Sequence, residues 1–224
     1  MITHISFDLW LTLICSNPLF RKKRAEFIAE TYNPENRDAS EIERFIKERD
    51  KVFDRYNEMN GTKLPAEEMY RQVLGKIKGN DCRATSENAG RLMKVSNELF
   101  MEYSPHLLNN HIPHILEELK SRGVTLSIGS NTGFVEGDVL RKALKKLNIL
   151  HYFSFLVFSD EIKTSKPASS FFRHIANQAN LPQSRILHVG DNPKTDYQGA
   201  ISFGFNALLI TNPNYSIDDI RIQL

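Results

Sequence analysis

Residues 186–210 read ILHVGDNPKTDYQGAISFGFNALLI: an apolar run Ile186 to Val189, an acidic turn from Gly190 to Asp196, a helical pattern Lys194 to Phe203, then Gly204 and a second apolar run Ala207 to Ile210. Two short β-prone runs joined by a helix of this length are the sequence form of two parallel strands with a crossover. Three more runs of the same kind stand upstream, at Ile2 to Phe7, Val124 to Ile128 and Phe155 to Phe158. All are short and rich in β-branched, aliphatic and aromatic residues, as expected of buried strands. Helical patterns lie between them. Ile112 to Arg122 ends at Gly123, Val135 to Leu147 places Val135, Val139, Leu140, Ala143, Leu144 and Leu147 on one face, and Ser169 to Ala179 follows. Strands alternating with helices predict an α/β fold, a doubly wound parallel sheet of Rossmann-like type with helices on both faces.

The first run stands apart, because its successor begins more than a hundred residues later. The intervening segment has helical stripes and no convincing strand. Ile42, Phe45, Ile46, Val52, Phe53 and Tyr56 form one stripe, introduced by Ser40 and Glu43 in capping-box spacing. Pro65 reads as the first residue of a second helix carrying Met69, Val73, Leu74 and Ile77, and Leu92, Val95, Leu99 and Tyr103 mark a third. The expected division is therefore a core of residues 1–14 and 105–224 with an inserted all-helical domain of residues 15–104.

Composition limits the partners. The insertion from Ser16 to Ser104 holds 17 Lys/Arg and 16 Asp/Glu, and the whole chain balances to +2, so no segment carries the basic excess that phosphate-backbone binding needs. Nucleic acid is not an expected partner. Cys15 and Cys82 are too few for a disulfide framework and have no zinc-site spacing, which points to a reducing compartment. The apolar start, Ile2 to Ile14, contains His4 and Asp8 and lacks a basic leader, so it is read as a strand and not as a signal sequence. With no apolar run of about 20 residues, no membrane contact is expected and the location is read as cytoplasmic.

In open α/β sheets the residues just after the strands meet the ligand. Here those positions hold Asp8; Ser130, Asn131 and Thr132; Asp160, Glu161 and then Lys166; and Asp191 and Asp196. A carboxylate nucleophile needs a neighbouring cation to hold an anionic substrate, and that cation needs further carboxylates to anchor it. Four motifs stand in order: F-D-L-W-L-T-L at Phe7 to Leu13, S-N-T at Ser130 to Thr132, K-P at Lys166 and Pro167, and G-D-N-P-K-T-D at Gly190 to Asp196, followed by Gly199, Ala200 and Gly204. This set resembles the haloacid dehalogenase-like superfamily of hydrolases, and the helical insertion directly after the first motif is similar to its C1 cap.

The resemblance implies roles. Asp8 is the implied nucleophile, forming an aspartyl-phosphate that water hydrolyses. A magnesium ion (Mg2+) would be held by the carboxylates of Asp8 and Asp191 and the backbone carbonyl of Trp10. Asp196 would orient Lys166 or a bound water, while Ser130, Asn131 and Lys166 would receive the phosphoryl oxygens of a small phosphorylated metabolite. One position departs from the pattern. Phosphatases of the superfamily carry a second Asp two residues after the nucleophile, where this chain has Trp10, and Leu11 replaces the usual Gly. An indole cannot serve as a general acid or base. Two alternatives follow: a metal-independent 2-haloacid dehalogenase, since those relatives also lack the second Asp, or a phospholigand-binding protein with little turnover. The retained Gly190, Asp191 and Asp196 favour the metal-dependent phosphatase. Arg21 to Arg24 are read as a solvated surface, His188 as a core residue or one placed behind the site, and Trp10 as a filler between core and insertion.

Overall fold

The structure, a computed structural model, describes residues 1–33, 35–78 and 86–221. Cys82 lies outside them. In chain order the elements are β1 (His4–Phe7), β2 (Ile14–Cys15), α1 (Pro18–Tyr32), α2 (Ala39–Asn60), α3 (Ala66–Ile77), α4 (Ser86–Glu102), β3 (His106–Leu107), α5 (Ile112–Ser121) and β4 (Thr125–Ser130). There follow α6 (Gly137–Lys146), β5 (Phe155–Phe158), α7 (Ser159–Ile162), α8 (Ser169–Ala179), β6 (Ile186–Gly190), a π-helical turn Pro193–Gln198 running into α9 (Gly199–Phe203), β7 (Asn206–Leu209) and α10 (Ile217–Arg221).

Five strands form one sheet in the order β5-β4-β1-β6-β7. Every pairing is parallel, with Phe7 opposite Ile128 on one side and Val189 on the other. This is the doubly wound α/β sheet expected from the alternating pattern. The five apolar runs coincide with the five strands to within one or two residues. All described helices are too short or too polar to cross a membrane.

Strand alternation sorts the sheet's residues between its two faces. Ile5, Phe7, Leu126, Ile128, Leu187 and Val189 pack in one cluster with Ile115, Leu116 and Leu119 of α5 and Val139, Leu140 and Leu144 of α6. On the other face Phe171, Phe172 and Ile175 of α8 pack with Val157, Ile186 and Ala200. The residues interleaved with the first set include His4, Ser6, Ser127 and His188, all fully buried. They satisfy one another: His4 bonds the Thr125 and Ser127 hydroxyls, each at 2.8 Å, and His188 Nδ1 lies 3.2 Å from Ser6 Oγ.

The insertion is tied to the sheet domain through a short antiparallel pair that the sequence does not announce. β2 leads into the helices and β3 leads out, with Ile14 opposite Leu107 and Cys15 opposite His106. The apolar start is therefore not one strand from Ile2 to Ile14, because the chain turns between β1 and β2. The helices also depart in detail from their expected patterns. α2 is capped by Asp38, whose side chain accepts from the Ser40 N–H, and not by a Ser40–Glu43 box. Pro65 sits one position before α3, at its N-cap. The buried face of α2 is Ile42, Ile46, Phe53 and Asn57, whereas Val52 and Tyr56 are about half exposed. In α4 it is Ala89, Leu92, Ser96 and Phe100, so the core stripe is shifted by one residue from Val95, Leu99 and Tyr103.

The candidate active site

Asp8 leaves the carboxyl end of β1 with its N–H donated to the Val189 carbonyl at 2.8 Å, which fixes it between β1 and β6. The chain then makes a tight flap. Leu13 and Ile14 donate to the Leu9 carbonyl at 2.9 and 3.0 Å, and Leu11 donates to the Ile14 carbonyl at 2.8 Å. Tyr215, from the far end of the chain, pins it by donating to the Thr12 carbonyl at 3.0 Å. The flap needs a left-handed residue, and Leu11 supplies it with φ of 58°. That conformation costs an L-residue about 1–2 kcal/mol and explains why a glycine would suit this position. The Leu11 side chain is 57% exposed and borders the cleft above Asp8.

Lys166 is the hub of the site. It is fully buried, and its ammonium donates to Asp8 Oδ1 at 2.7 Å, to Asp196 Oδ1 at 2.6 Å and to the Gly129 carbonyl at 2.7 Å. All three donors of the ammonium are thus used. Burial opposes its charge, but Asp196 and Asp8 outweigh that and hold the ammonium above its usual range. Burial likewise opposes ionisation of Asp196, yet Lys166 and His188 prevail and keep it well below the ordinary carboxylate range. Asp8 is left in the weaker position. Burial, together with the charges of Asp196 and Asp191, pushes it up to about 7 against the pull of Lys166.

Asp191 completes the group. One oxygen from each of Asp8, Asp191 and Asp196 lies within 4.8 Å of the others. Three carboxylates around one ammonium leave an excess of negative charge, which adds to burial in raising Asp8. A hard divalent cation with oxygen ligands would remove it, so this donor set fits magnesium.

The loops after β4 and β6 brace this centre. Asn131 turns both ends of its amide toward the Lys166 backbone, donating to its carbonyl at 3.0 Å and accepting its N–H at 2.8 Å. Ser130 is fully buried, donates to the Asn131 carbonyl at 3.1 Å and does not line the cleft. Asn192 caps the π-helical turn by accepting from Lys194 and Thr195, and its own N–H donates to Asp196 Oδ2 at 2.9 Å. A Cβ on Gly190 would collide with the Asp196 side chain, so glycine there is what lets the carboxylate fold back under the strand end. His188 stands behind Asp196 at 3.4 Å, kept neutral by burial. Asp160 and Glu161 are not at the centre: Asp160 accepts from the Gly137 N–H and Glu161 pairs with Arg141.

A cleft of about 480 Å³ opens over Asp8, Lys166, Asp191 and Asp196. Its walls include Ser16, Phe20, Arg21 and Arg24 from one side and Asn131, Gly133 and Phe134 from the other. The polar face of α2, with Lys47, Asp50, Asp54 and Glu58, forms a third wall that the sequence reading did not foresee. Arg24 corrects the reading of Arg21 to Arg24 as solvated, because only 7% of it is exposed. Four successive charges on a helix point all ways round, and the aromatic residues that bury the fourth, Phe20 and Phe134, are 114 positions apart in the chain. Trp10 is half-buried at the floor, edge-on to Phe100 with ring centroids 6.2 Å apart.

A family model described as haloacid dehalogenase-like hydrolase matches residues 5–210. Among curated proteins the chain is 26% identical over 153 residues to a phosphoserine phosphatase of Thermus thermophilus, covering 62% of this chain and 60% of that protein. It is 28% identical over 105 residues to (S)-2-haloacid dehalogenase 2 of a Pseudomonas species, covering 47% and 44%. The chain thus spans less than two thirds of the curated relatives it matches. Among solved structures, the HAD-hydrolase YfnB of Bacillus subtilis, bound to magnesium, superposes with a TM-score of 0.73 at 15% identity, over 97% of this chain and 92% of that one. At that identity the likeness is one of fold.

Proposed function

The chain belongs to the haloacid dehalogenase-like hydrolases, and from that premise we propose that it is a magnesium-dependent phosphomonoesterase working through an aspartyl-phosphate on Asp8. The observation that carries the reading is the Lys166 ammonium shared between Asp8 and Asp196, with Asp191 beside them, in an open cleft. Asp8 and Asp191 with the Trp10 carbonyl would hold the magnesium, whose positive charge would offset the negative charge of the phosphate. Asp8 Oδ attacks phosphorus, the bond to the ester oxygen breaks, and the alcohol leaves as its anion to take a proton from solvent. Water then adds to the acyl phosphate, releasing inorganic phosphate and returning the carboxylate. Lys166 favours the ionised form of Asp8 for attack and reaches a transferring oxygen only by giving up one of its three bonds, and Asp196 fixes Lys166. Asn131 places Lys166 through its backbone. Ser130 holds the loop, and it reaches a phosphoryl oxygen only by giving up its bond to the Asn131 carbonyl. Residues 1–14 and 105–224 form the core in this reading, and residues 15–104 the helical cap that closes the cleft against water.

One observation favours a second reading. Trp10 leaves no carboxylate to protonate the departing oxygen, which suits a 2-haloacid dehalogenase, whose halide needs no proton. Asp191 and Asp196 weigh against it, because a metal-free displacement has no use for that acidic cluster. The test is phosphate release from p-nitrophenyl phosphate with magnesium and with chelator, for the wild type and Asp8→Asn, beside halide release from 2-chloropropionate. Magnesium-dependent release that Asp8→Asn abolishes supports the phosphatase; halide release that persists in chelator replaces it with the dehalogenase.

A further inference from the structure

Arg24 is a guanidinium buried without a fixed partner. It lies over the rings of Phe20 at 4.9 Å and Phe134 at 5.1 Å, it borders the cleft, and its Nε donor has no hydrogen-bond partner. With two rings packed against the guanidinium, its N–H groups are what it has left to offer a ligand. Asp50, in the α2 wall of the same cleft, is in the complementary condition: its Oδ1 is buried and accepts no hydrogen bond. That oxygen lies 3.3 Å from where a Cβ on Gly133 would be, so it points to the loop after β4 and the cleft it borders. Arg24 is near enough to favour the Asp50 carboxylate against burial, yet the two make no hydrogen bond. Lys63 also favours the Asp50 carboxylate, and two of the neighbouring charges in the cleft are paired elsewhere. Arg21 faces Glu43 at 3.5 Å and Glu58 faces Lys194 at 2.8 Å.

An unsatisfied donor and an unsatisfied acceptor beside each other, in one cleft with the reacting carboxylate, are unfavourable for the empty protein and call for a ligand that both accepts and donates. We propose that Arg24 and Asp50 read the end of the substrate remote from its phosphate, and that this end carries a carboxylate beside a hydrogen-bond donor, as in a phosphorylated amino acid or hydroxy acid. This deepens the phosphomonoesterase reading and rests on it. A carboxylate matches the in-plane fork of a guanidinium with two parallel bonds, which an alkyl group does not. An adjacent ammonium or hydroxyl donates to Asp50 Oδ1. Asp54, one turn further along α2 and also lining the cleft, adds a second acceptor on the same side.

The test is calorimetry on the full chain in an Asp8→Asn background with magnesium, which binds phosphate esters without turning them over. The ligands are O-phosphoserine, 3-phosphoglycerate, phosphoglycolate, phosphoethanolamine and inorganic phosphate. Arg24→Met should weaken the three carboxylates by at least tenfold and leave phosphoethanolamine and inorganic phosphate within about twofold. Asp50→Asn should weaken phosphoserine and spare phosphoglycolate, and the order of phosphoserine and 3-phosphoglycerate tells whether ammonium or hydroxyl is preferred. Arg24→Lys, which keeps the charge and loses the fork, should lose most of the same preference. Arg24→Met should also melt no lower than its parent, whereas a guanidinium placed for stability would lower the melting temperature when removed. Equal losses for all five ligands, or none, overturn the proposal. Failure of the underlying reading looks different: no ligand binds, inorganic phosphate included, and the wild type releases nothing from p-nitrophenyl phosphate.

Discussion

Asn131 holds Lys166 by the backbone, with its amide nitrogen 3.0 Å from the Lys166 carbonyl and its amide oxygen 2.8 Å from the Lys166 nitrogen. The ammonium of the same lysine, at the other end of the side chain, meets Asp8 and Asp196. Asn131 thus sets the position of the cation without touching it. Asn131→Ala removes two partly buried hydrogen bonds, and a loss of about 2 kcal/mol in unfolding free energy is expected at roughly 1 kcal/mol each. Displacing the ammonium should also lower kcat for p-nitrophenyl phosphate by about 10–10²-fold, since misplacement of this order has that effect. Denaturant unfolding and steady-state kinetics on one preparation check both. An Ala variant with wild-type kcat would mean that Asp8, Asp196 and Gly129 hold the ammonium unaided.

His4 gives the fold a predictable weakness in acid. Burial drives its imidazole down to about 4, from an ordinary value of about 6.5, while its two ring nitrogens are occupied by Thr125 and Ser127. The folded value lies below the unfolded one, so the stabilisation is complete above about pH 6.5 and is lost as pH falls toward 4. A shift of this size corresponds to about 3 kcal/mol. His188 is also shifted down by burial and acts in the same direction, whereas the raised Asp8, Asp50, Asp54 and Asp191 act in the opposite one. Comparison with His4→Gln isolates the one group. Its stability at pH 7 should be lower and its decline between pH 6.5 and 4 shallower by about 3 kcal/mol, measured by urea unfolding at several pH values. Parallel pH curves for the two proteins would show that His4 does not titrate in this window.

What the sequence made legible was set by range. The strands were read from short runs of four to six residues rich in β-branched and large apolar side chains, and the reacting groups from their places at strand ends, because both signals are local. Asp8, Asn131, Lys166, Asp191 and Asp196 duly meet at one end of the sheet. Ser130 fell at the strand end but turned inward, since a strand position fixes where a residue emerges and not which way its hydroxyl turns. Asp50 was missed, and Arg24 was taken for a solvated residue, for the opposite reason. Each sits among charged neighbours on an amphipathic helix, and only the approach of α1 and α2 to the Gly133–Phe134 loop buries them. The shift of the α4 stripe from Val95 and Leu99 to Ser96 and Phe100 has the same origin: which of two adjacent helical faces is covered depends on the partner helix and not on the period.

Trp10 makes the last prediction, which concerns the leaving group. The indole N–H neither titrates near neutral pH nor accepts a proton, and the ring is packed edge-on to Phe100 at the floor of the cleft. Breaking the ester bond therefore releases an unprotonated oxygen. Aryl and acyl phosphates tolerate this, because their leaving groups are stable anions; alkyl phosphates do not, and a missing general acid costs about 10²–10⁴ in rate. The wild type should accordingly show a steep decline of log kcat/KM with rising leaving-group pKa across a series of aryl and alkyl phosphates. Trp10→Asp should flatten that slope, raising turnover of alkyl phosphates by about 10²-fold while changing p-nitrophenyl phosphate little. Replacing the ring by a carboxylate at a packed position also costs about 3–5 kcal/mol of stability if nothing moves in to fill the space. The comparison is therefore made at a temperature where circular dichroism shows both proteins folded. A wild-type slope as shallow as the variant's would mean that some other group protonates the leaving oxygen, and Asp54, pushed up to about 7 by burial and by its neighbours Asp50 and Glu58, would be the first residue in the cleft to replace by Asn.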